Sequence, residues 1–199
     1  MQKEYNEIIE QATAEHKLEK DEIETLLSCE GSALELLFAA ADRVRRTFMG
    51  DEVHLRGLIE FSNYCQRNCA YCGLRESHKS LPRYRLDTAE IVAIAGAAVP
   101  LGYKTVVLQS GEDSAYSAEL IAVIACRLKE ELGLAVTLSL GERSEEDYRL
   151  WRNAGADRYL LKHETADVEL YGALHPDMTW ENRKKSLYLL RELGYQVGS

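Results

Sequence analysis

The chain has 199 residues, 46% of them hydrophobic and 29% charged, with three prolines and thirteen glycines, which excludes a fibrous or disordered protein and leaves room for one substantial core in one or two domains. Acidic residues outnumber basic ones, 33 to 24, for a formal charge of -9, so the long-range field disfavours a nucleic-acid partner. No run reaches the roughly 18 apolar residues of a membrane span and Met1 to Lys20 is an acidic amphipathic stretch without a signal core, so a cytoplasmic protein with no membrane partner is expected.

Two helical segments come first, over residues 1–53. One runs from about Asp21 to Ser28. The other opens at Ser32, with Glu35 completing a capping box; Leu34, Leu37, Phe38, Ala41, Val44 and Phe48 recur at helical spacing, and Gly50 stands where a left-handed stop is wanted. From His54 the pattern changes to short apolar runs alternating with amphipathic helices. His54 to Phe61, Thr105 to Gln109, Ala135 to Leu140 and Asp157 to Lys162 read as strands. Between them, Asp87 with Glu90 caps a helix with Ile91, Ile94, Ala95 and Ala98 on its buried face, and Leu120, Ile121, Ile124, Leu128 and Leu132 mark the next. Ser144 opens a third, and Trp180 to Leu193 forms the last.

Four joins repeat one device: Leu101-Gly102-Tyr103, Leu132-Gly133-Leu134, Ala154-Gly155-Ala156 and Leu193-Gly194-Tyr195 each end a helix with glycine and lead into a strand. This is a repeated βα unit with near-continuous apolar strands, the pattern of a parallel sheet covered by helices. Every strand runs out into polar residues: Glu60, Ser62 and Asn63, then Gln109 to Glu112, then Ser139, Glu142 and Arg143, then Lys162 to Glu164. A (β/α) TIM-type barrel gathers such ends into one mouth, where these folds keep their chemistry. No Gly-x-Gly-x-x-Gly follows the first strand to suggest a doubly wound dinucleotide fold.

Directly after the first strand comes Cys65-Gln66-Arg67-Asn68-Cys69-Ala70-Tyr71-Cys72. Three thiols within eight positions of a five-cysteine chain fit a secreted disulfide framework poorly. Three readings stand: a structural zinc site completed by His54 or His78, structural cysteines clustered by coincidence, and an iron-sulfur cluster held by three thiolates with one iron open to another ligand. Cys29 and Cys126 read as inert thiols, Cys126 on the apolar side of its helix. The basic run Arg75, Lys79, Arg83 and Arg85 either offsets the charge of a thiolate cluster or is a solvated loop.

The Cys-x3-Cys-x-aromatic-Cys spacing, on the loop after the first barrel strand, resembles the signature of the radical S-adenosylmethionine (SAM) superfamily. It is most similar to the branch containing biotin synthase, methylornithine synthase and the [FeFe]-hydrogenase maturation enzymes of HydE type. Cys-Gly-Leu-Arg after the loop and the runs LQSGED, LSLGERS, ADRYLLKHET and LHPDMTWENR continue the HydE-type resemblance from about Asp21 onward.

The resemblance implies that Cys65, Cys69 and Cys72 ligate a [4Fe-4S] cluster whose open iron is chelated by SAM, and that reductive cleavage of SAM yields a 5'-deoxyadenosyl radical. It further implies SAM contacts from Tyr71, Ser110, Gly111, Glu112, Ser139, Glu164 and Arg183, and substrate contacts from Gln109, Arg158 and Lys162. His175 is a candidate contact at the mouth. Lys162 stands where the resemblance implies an arginine, which keeps the charge but not the planar fork. Taken alone, Glu112 is also explained as an acid at a helix N-terminus, Arg183 as a solvated helix residue, Arg158 as an outer-surface ion pair, and Glu142 and Arg143 as caps of the helix from Ser144. His163 is expected to pack against a helix.

The partners implied are a small sulfur-containing or organometallic iron substrate, a reductant protein such as ferredoxin or flavodoxin, and other hydrogenase maturation proteins. Methylornithine-synthase-like or biotin-synthase-like radical chemistry is the alternative within catalysis, and a zinc or iron-sulfur binding module the alternative outside it. Residues 54–199 hold four βα units and the opening of a fifth strand, whereas a full barrel takes about 250 residues. The chain therefore reads as an incomplete barrel, the N-terminal portion of a larger enzyme.

Overall fold

The computed structural model describes residues 2–199, with side chains from Tyr5 on; Met1, the first residue of the acidic stretch, lies outside the described residues. The chain divides into two compact units, one up to His54 and the other Leu55–Ser199.

The first unit holds three helices: α1 (Gln2–Glu15), α2 (Lys20–Leu27) and α3 (Gly31–Met49). Ile8, Ile9, Leu26 and Ala40 form its core. Helix α1 is not marked by its composition, since Ile8 and Ile9, with Tyr5 packed beside them, are set among charges. Helix α3 begins at Gly31 with Glu30 at its N-cap, so the box expected from Ser32 and Glu35 does not start the helix. Its buried residues are Ala33 and Ala40, while Phe38 and Phe48 are exposed. Gly50 does end it, at φ 70°, a backbone angle that favours glycine.

The second unit runs β1 (Arg56–Ser62), α4 (Thr88–Ala98), β2 (Thr105–Ser110), α5 (Ala118–Glu130), β3 (Ala135–Ser139), α6 (Glu145–Asn153), β4 (Ala156–Leu160), α7 (Val168–Leu174), α8 (Trp180–Glu192) and β5 (Gln196–Gly198). Local chemistry starts all five of these helices: the side chains of Asp87, Ser117, Ser144, Asp167 and Thr179 each accept the N–H three residues on. All strands are parallel, in the order β1-β2-β3-β4-β5. A doubly wound sheet reverses its order at a switch point, whereas a barrel adds each strand beside its predecessor. The order here is the barrel's.

The strands alternate and are not apolar throughout. Ile59, Phe61, Val106, Leu108, Val136, Leu138 and Tyr159 join the helix-side core, where Tyr148, Trp151 and Tyr159 pack ring to ring. The opposite face carries register neighbours Leu58, Val107, Thr137, Arg158 and Gln196. The period of two shows that only the helix side is sealed with apolar groups. Helix α7 has no counterpart in the sequence pattern, because its seven residues hold under two turns of periodic signal. Two side chains expected on buried helix faces, Ile94 and Cys126, are exposed.

Candidate active site at the carboxyl ends of the strands

Past Ser62 the chain leaves the sheet and folds back on itself, so that the cysteine loop is held from both sides. Ser62 Oγ donates to Asp113 at 2.6 Å, and Arg85 closes a two-pronged ion pair on the same carboxylate at 2.7 and 2.9 Å. The Arg85 guanidinium also lies 3.6 Å over the Tyr64 ring. Arg83 donates to the carbonyls of Asn63, Leu74, Arg75 and His78, and Arg75 to that of Cys72 at 2.9 Å. Lys79 pairs with Glu76. Arg75, Arg83 and Arg85 therefore satisfy loop carbonyls and the buried Asp113 carboxylate, whereas the exposed Lys79–Glu76 pair is the solvated part of the run.

Backbone bonds fix the loop to the segment after β2 and to the end of α7. Gln66 N donates to Glu112 O at 3.1 Å and Ala70 N to Leu174 O at 2.8 Å. Gly111 makes the approach possible, because a Cβ there would meet the Tyr64 carbonyl oxygen and lie 2.6 Å from Cys65 Cβ. Cys65 Sγ accepts from Arg67 N and Glu112 N, and Cys72 Sγ from Leu74 N, each at 3.4 Å. Burial pushes the Cys65 thiol up against these N–H groups. Burial, together with the neighbouring Cys65 and Cys72, pushes Cys69 up to about 11. Thiols crowded this way resist losing their protons unless a cation takes the place of those protons.

A cavity of about 150 Å³ opens beside the loop. Of the residues expected to form the site, Cys65, Cys69, Tyr71, Gln109, Ser110, Gly111, Glu112, Ser139, Lys162, Glu164 and Arg183 line it. Cys72 and Arg158 do not. Cys72 faces the loop's own backbone, whereas Arg158 lies lower on β4 and bonds Gln196 across the strand pair at 2.7 Å, not a carboxylate.

Two ion pairs close the cavity floor. Glu112 is 6% exposed and precedes α5 by several residues, so it is no helix N-terminal acid. Its Oε2 accepts from Arg67 Nε at 2.6 Å and its Oε1 from Glu142 N at 3.0 Å. Gly141, at φ 74°, leaves no room for a Cβ against Glu112 Cγ. Arg183 is buried too, contrary to a solvated helix position; Nε donates to Glu142 Oε1 at 2.8 Å and Nη1 to Lys162 O. Burial works against its charge, but Glu142 holds its pKa above the ordinary value. Glu142 is thus the partner of Arg183 and not a cap, while Arg143 donates to Asp113 O at 3.1 Å.

At the mouth, Tyr71 OH donates to Glu164 Oε1 at 2.8 Å and lies 3.0 Å from His175 Nε2. His175 is buried, stacks on Tyr171 and faces the Tyr171 carbonyl through Nδ1 at 3.1 Å. A nitrogen facing a carbonyl must carry a proton, so His175 Nδ1 donates to the Tyr171 carbonyl and Nε2 is turned to the Tyr71 hydroxyl. Burial and Glu164 both raise the Tyr71 pKa, keeping the phenol protonated. Glu164 holds φ 69°, a left-handed angle uncommon outside glycine, which turns its carboxylate back over the cavity. His163 packs on Trp180 with ring centroids 6.1 Å apart.

Arg67, Gly141 and Met178 also line the cavity and were not singled out from the sequence. Each nonetheless lies in a run noted there: Arg67 between the first two cysteines, Gly141 in LSLGERS and Met178 in LHPDMTWENR.

The donor set bears on which metal group fits. Among the described residues no three His, Cys, Asp or Glu side chains converge on one metal-ion position, and the His78 ring is turned to the Gly73 carbonyl at 2.8 Å. A tetrahedral zinc site asks for such convergence. An iron-sulfur cluster gives each thiolate its own iron and asks for thiols spread around a space with N–H donors to sulfur. The loop of Cys65, Cys69 and Cys72 fits the cluster.

Comparison with known proteins agrees with this chemistry. Residues 59–199 match the family model described as the radical SAM superfamily. Over 165 residues the chain is 54% identical to the [FeFe] hydrogenase maturase subunit HydE of Thermotoga maritima, covering 83% of this chain and 47% of that one. The crystal structure of methylornithine synthase (PylB) is similar at TM-score 0.81 with 31% identity, covering 96% of this chain and 57% of that one. The hydrogenase maturase HydG aligns at TM-score 0.88 with 23% identity, covering 99% of this chain and 46% of that one, a likeness of fold alone. The chain spans about half the length of the curated relatives it matches.

Proposed function

This chain belongs to the radical SAM superfamily, and from that premise we propose that it carries the cofactor-binding half of a HydE-type maturase, which uses SAM to build the diiron site of [FeFe]-hydrogenase. The observation that carries the reading is the glycine-permitted closure of the three-cysteine loop onto Glu112, beside a cavity lined by the residues the family uses. In this reading residues 1–53 are a helical segment and 54–199 the barrel core.

A bound cluster and SAM together supply reductive cleavage of the sulfonium to a 5'-deoxyadenosyl radical. The residues of this chain do the rest. Cys65, Cys69 and Cys72 hold the cluster as thiolates, with N–H donors on Cys65 and Cys72 keeping charge on sulfur. Ser110 and Gly111 present backbone at close range to the SAM amino group, with the Glu112 carboxylate behind them. Arg183 offers its remaining guanidinium hydrogens to the SAM carboxylate. Ser139 and Glu164 take the ribose, with Tyr71 holding Glu164 in place by a 2.8 Å bond. Gln109 and Lys162 stand on the substrate side, and Arg158 deeper on the same sheet face. The substrate is a small sulfur-containing or organometallic iron compound. The electron comes from a ferredoxin or flavodoxin, and the other hydrogenase maturation proteins are the wider partners, in the cytoplasm.

The test is anaerobic reconstitution with iron and sulfide, followed by dithionite, SAM and an assay for 5'-deoxyadenosine. Release of 5'-deoxyadenosine at an amount comparable with the protein is expected. A cluster-loaded protein that leaves SAM intact overturns the reading, and zinc retained in air at one per chain would establish the binding-module alternative.

A further inference from the structure

Arg67 lies between the first two cysteines, yet its side chain turns away from the thiols and into a chain of charges. Its Nε meets Glu112 Oε2 at 2.6 Å, Glu112 Oε1 meets Glu142 N at 3.0 Å, and Glu142 Oε1 meets Arg183 Nε at 2.8 Å. The Nη1 of Arg67 reaches Asp177 O at 3.3 Å, and Asp177 Oδ2 accepts from Asn68 N at 3.2 Å. One guanidinium thus links the loop after β1 to the loops after β2 and β3 and to the start of α8. The exposure of the side chains is 25% for Arg67, 6% for Glu112, 13% for Glu142 and 7% for Arg183. Bonds of this kind, between ionised groups largely shielded from water, hold geometry tightly.

We propose that Arg67 is a positioning residue for SAM: by gripping Glu112 it sets the spacing between the cysteine loop and the Glu112–Glu142–Arg183 wall against which the SAM amino and carboxylate groups are received. Three observations carry this. The Arg67 side chain has no sulfur among its partners and is bonded instead to a carboxylate that lines the cavity. Among the described residues Arg67 is the only ion-pair partner of Glu112, whose second oxygen is taken by a backbone N–H, and Arg183 acts on it from further off. Arg183, the far end of the chain, is oriented by Glu142, whose own backbone is held by Glu112. Removing Arg67 leaves the buried Glu112 carboxylate without its ion-pair partner, held by the Glu142 N–H alone, and loosens the wall behind it.

The inference rests on the radical SAM reading, and the experiment separates the two. Wild type, Arg67→Met, Arg67→Lys, Glu112→Gln and the Arg67→Met/Glu112→Gln double variant are reconstituted anaerobically. Iron and sulfide per chain, thermal unfolding midpoint, and SAM affinity by equilibrium dialysis and by the SAM-induced change in the electron paramagnetic resonance spectrum of the reduced cluster are then measured. Arg67→Met is expected to keep its iron and to bind SAM roughly 10- to 100-fold more weakly, as loss of an outer-sphere partner does. Arg67→Lys recovers part of the affinity, because the charge remains while the fork is lost. The double variant loses no more than the worse single one, because Arg67 acts through Glu112. SAM affinity unchanged in Arg67→Met, or losses that add in the double variant, overturns the proposal. Iron lost in step with SAM affinity also overturns it, since Arg67 would then serve the cysteine loop itself. If Met at this position prevents folding, Arg67→Lys decides: a SAM affinity equal to wild type with a full cluster refutes the proposal, and a weakened one supports it. A wild type that takes up no cluster refutes instead the reading beneath it.

Discussion

The two walls of the cavity are built on opposite principles. On the cysteine side, Arg67 has Glu112, Arg85 has Asp113, and Arg83 is surrounded by carbonyl oxygens. On the β4 side, Lys162 is exposed and carries no ion pair among the described residues, and Glu164 stands in a left-handed backbone with one phenol as its partner. The first wall has its polar partners already in place and resembles the preorganised shell of a cofactor site. The second leaves charges whose partners a ligand must bring. Rigidity therefore belongs to the wall proposed to receive the SAM amino and carboxylate groups, and adaptability to the β4 side, where Glu164 is proposed to meet the ribose and Lys162 the substrate.

Breaking the first wall at its centre has the largest effect. Cys69→Ala removes one of three thiolates, and reconstituted protein is expected to lose nearly all cluster iron and all SAM cleavage, read by iron content and 5'-deoxyadenosine release. Next comes the buried pair behind it: Glu142→Ala strands the Arg183 guanidinium, whose side chain is 7% exposed, and should cost about 3–5 kcal/mol in denaturant unfolding. Gly111→Ala forces a methyl group against the Tyr64 carbonyl and Cys65 Cβ. It is expected to cost about 1–3 kcal/mol and to lower iron uptake, with circular dichroism and iron assay as the checks.

The same wall carries a pH signature. Burial raises the Asp113 carboxyl, but bonds from Arg85, Ser62 and the Ala115 N–H outweigh it and leave it below the ordinary value of 3.8. A depressed carboxylate stabilises the fold above its unfolded value, and that contribution is lost as pH falls from there through the folded value. Asp113→Asn should flatten the decline of the unfolding midpoint below about pH 4 relative to wild type, where the ordinary carboxylate titrates. An unchanged acid limb would show that Arg85 and Asp113 are held by other forces. The smallest effect on stability is expected across the cavity. Lys162→Met should shift unfolding by less than about 0.5 kcal/mol and still change turnover with substrate. A stability loss as large as that of Gly111→Ala would erase the contrast between the walls.

Much of this architecture was legible before any coordinates. The cysteine spacing, the glycine-marked helix ends, and the caps at Asp87 and Ser144 act within a few residues of chain, and each appears in the structure where it was expected. The strand starts and the polar strand ends were legible for the same reason. Less visible were features with a weak local signal: helix α7, too short to show a period, and helix α1, with little apolar content. Helix faces were legible only on average, as the exposure of Ile94 and Cys126 shows, because burial depends on what lies opposite.

The sequence by itself determined the chemistry available: three thiols on one loop, a glycine and an acid after the second strand, and charged residues after the third and fourth. Only the tertiary structure decided which charge answers which. Arg67 and Glu112 are 45 positions apart, Glu142 and Arg183 are 41, and Tyr71 and His175 are 104. Those pairings follow from parallel strands laid side by side in one order, which sets the loops of distant units at one end of the sheet. The strength of a hydrogen bond or ion pair depends on fractions of an ångström, and no pattern along the chain encodes a distance that the register of five strands has to set.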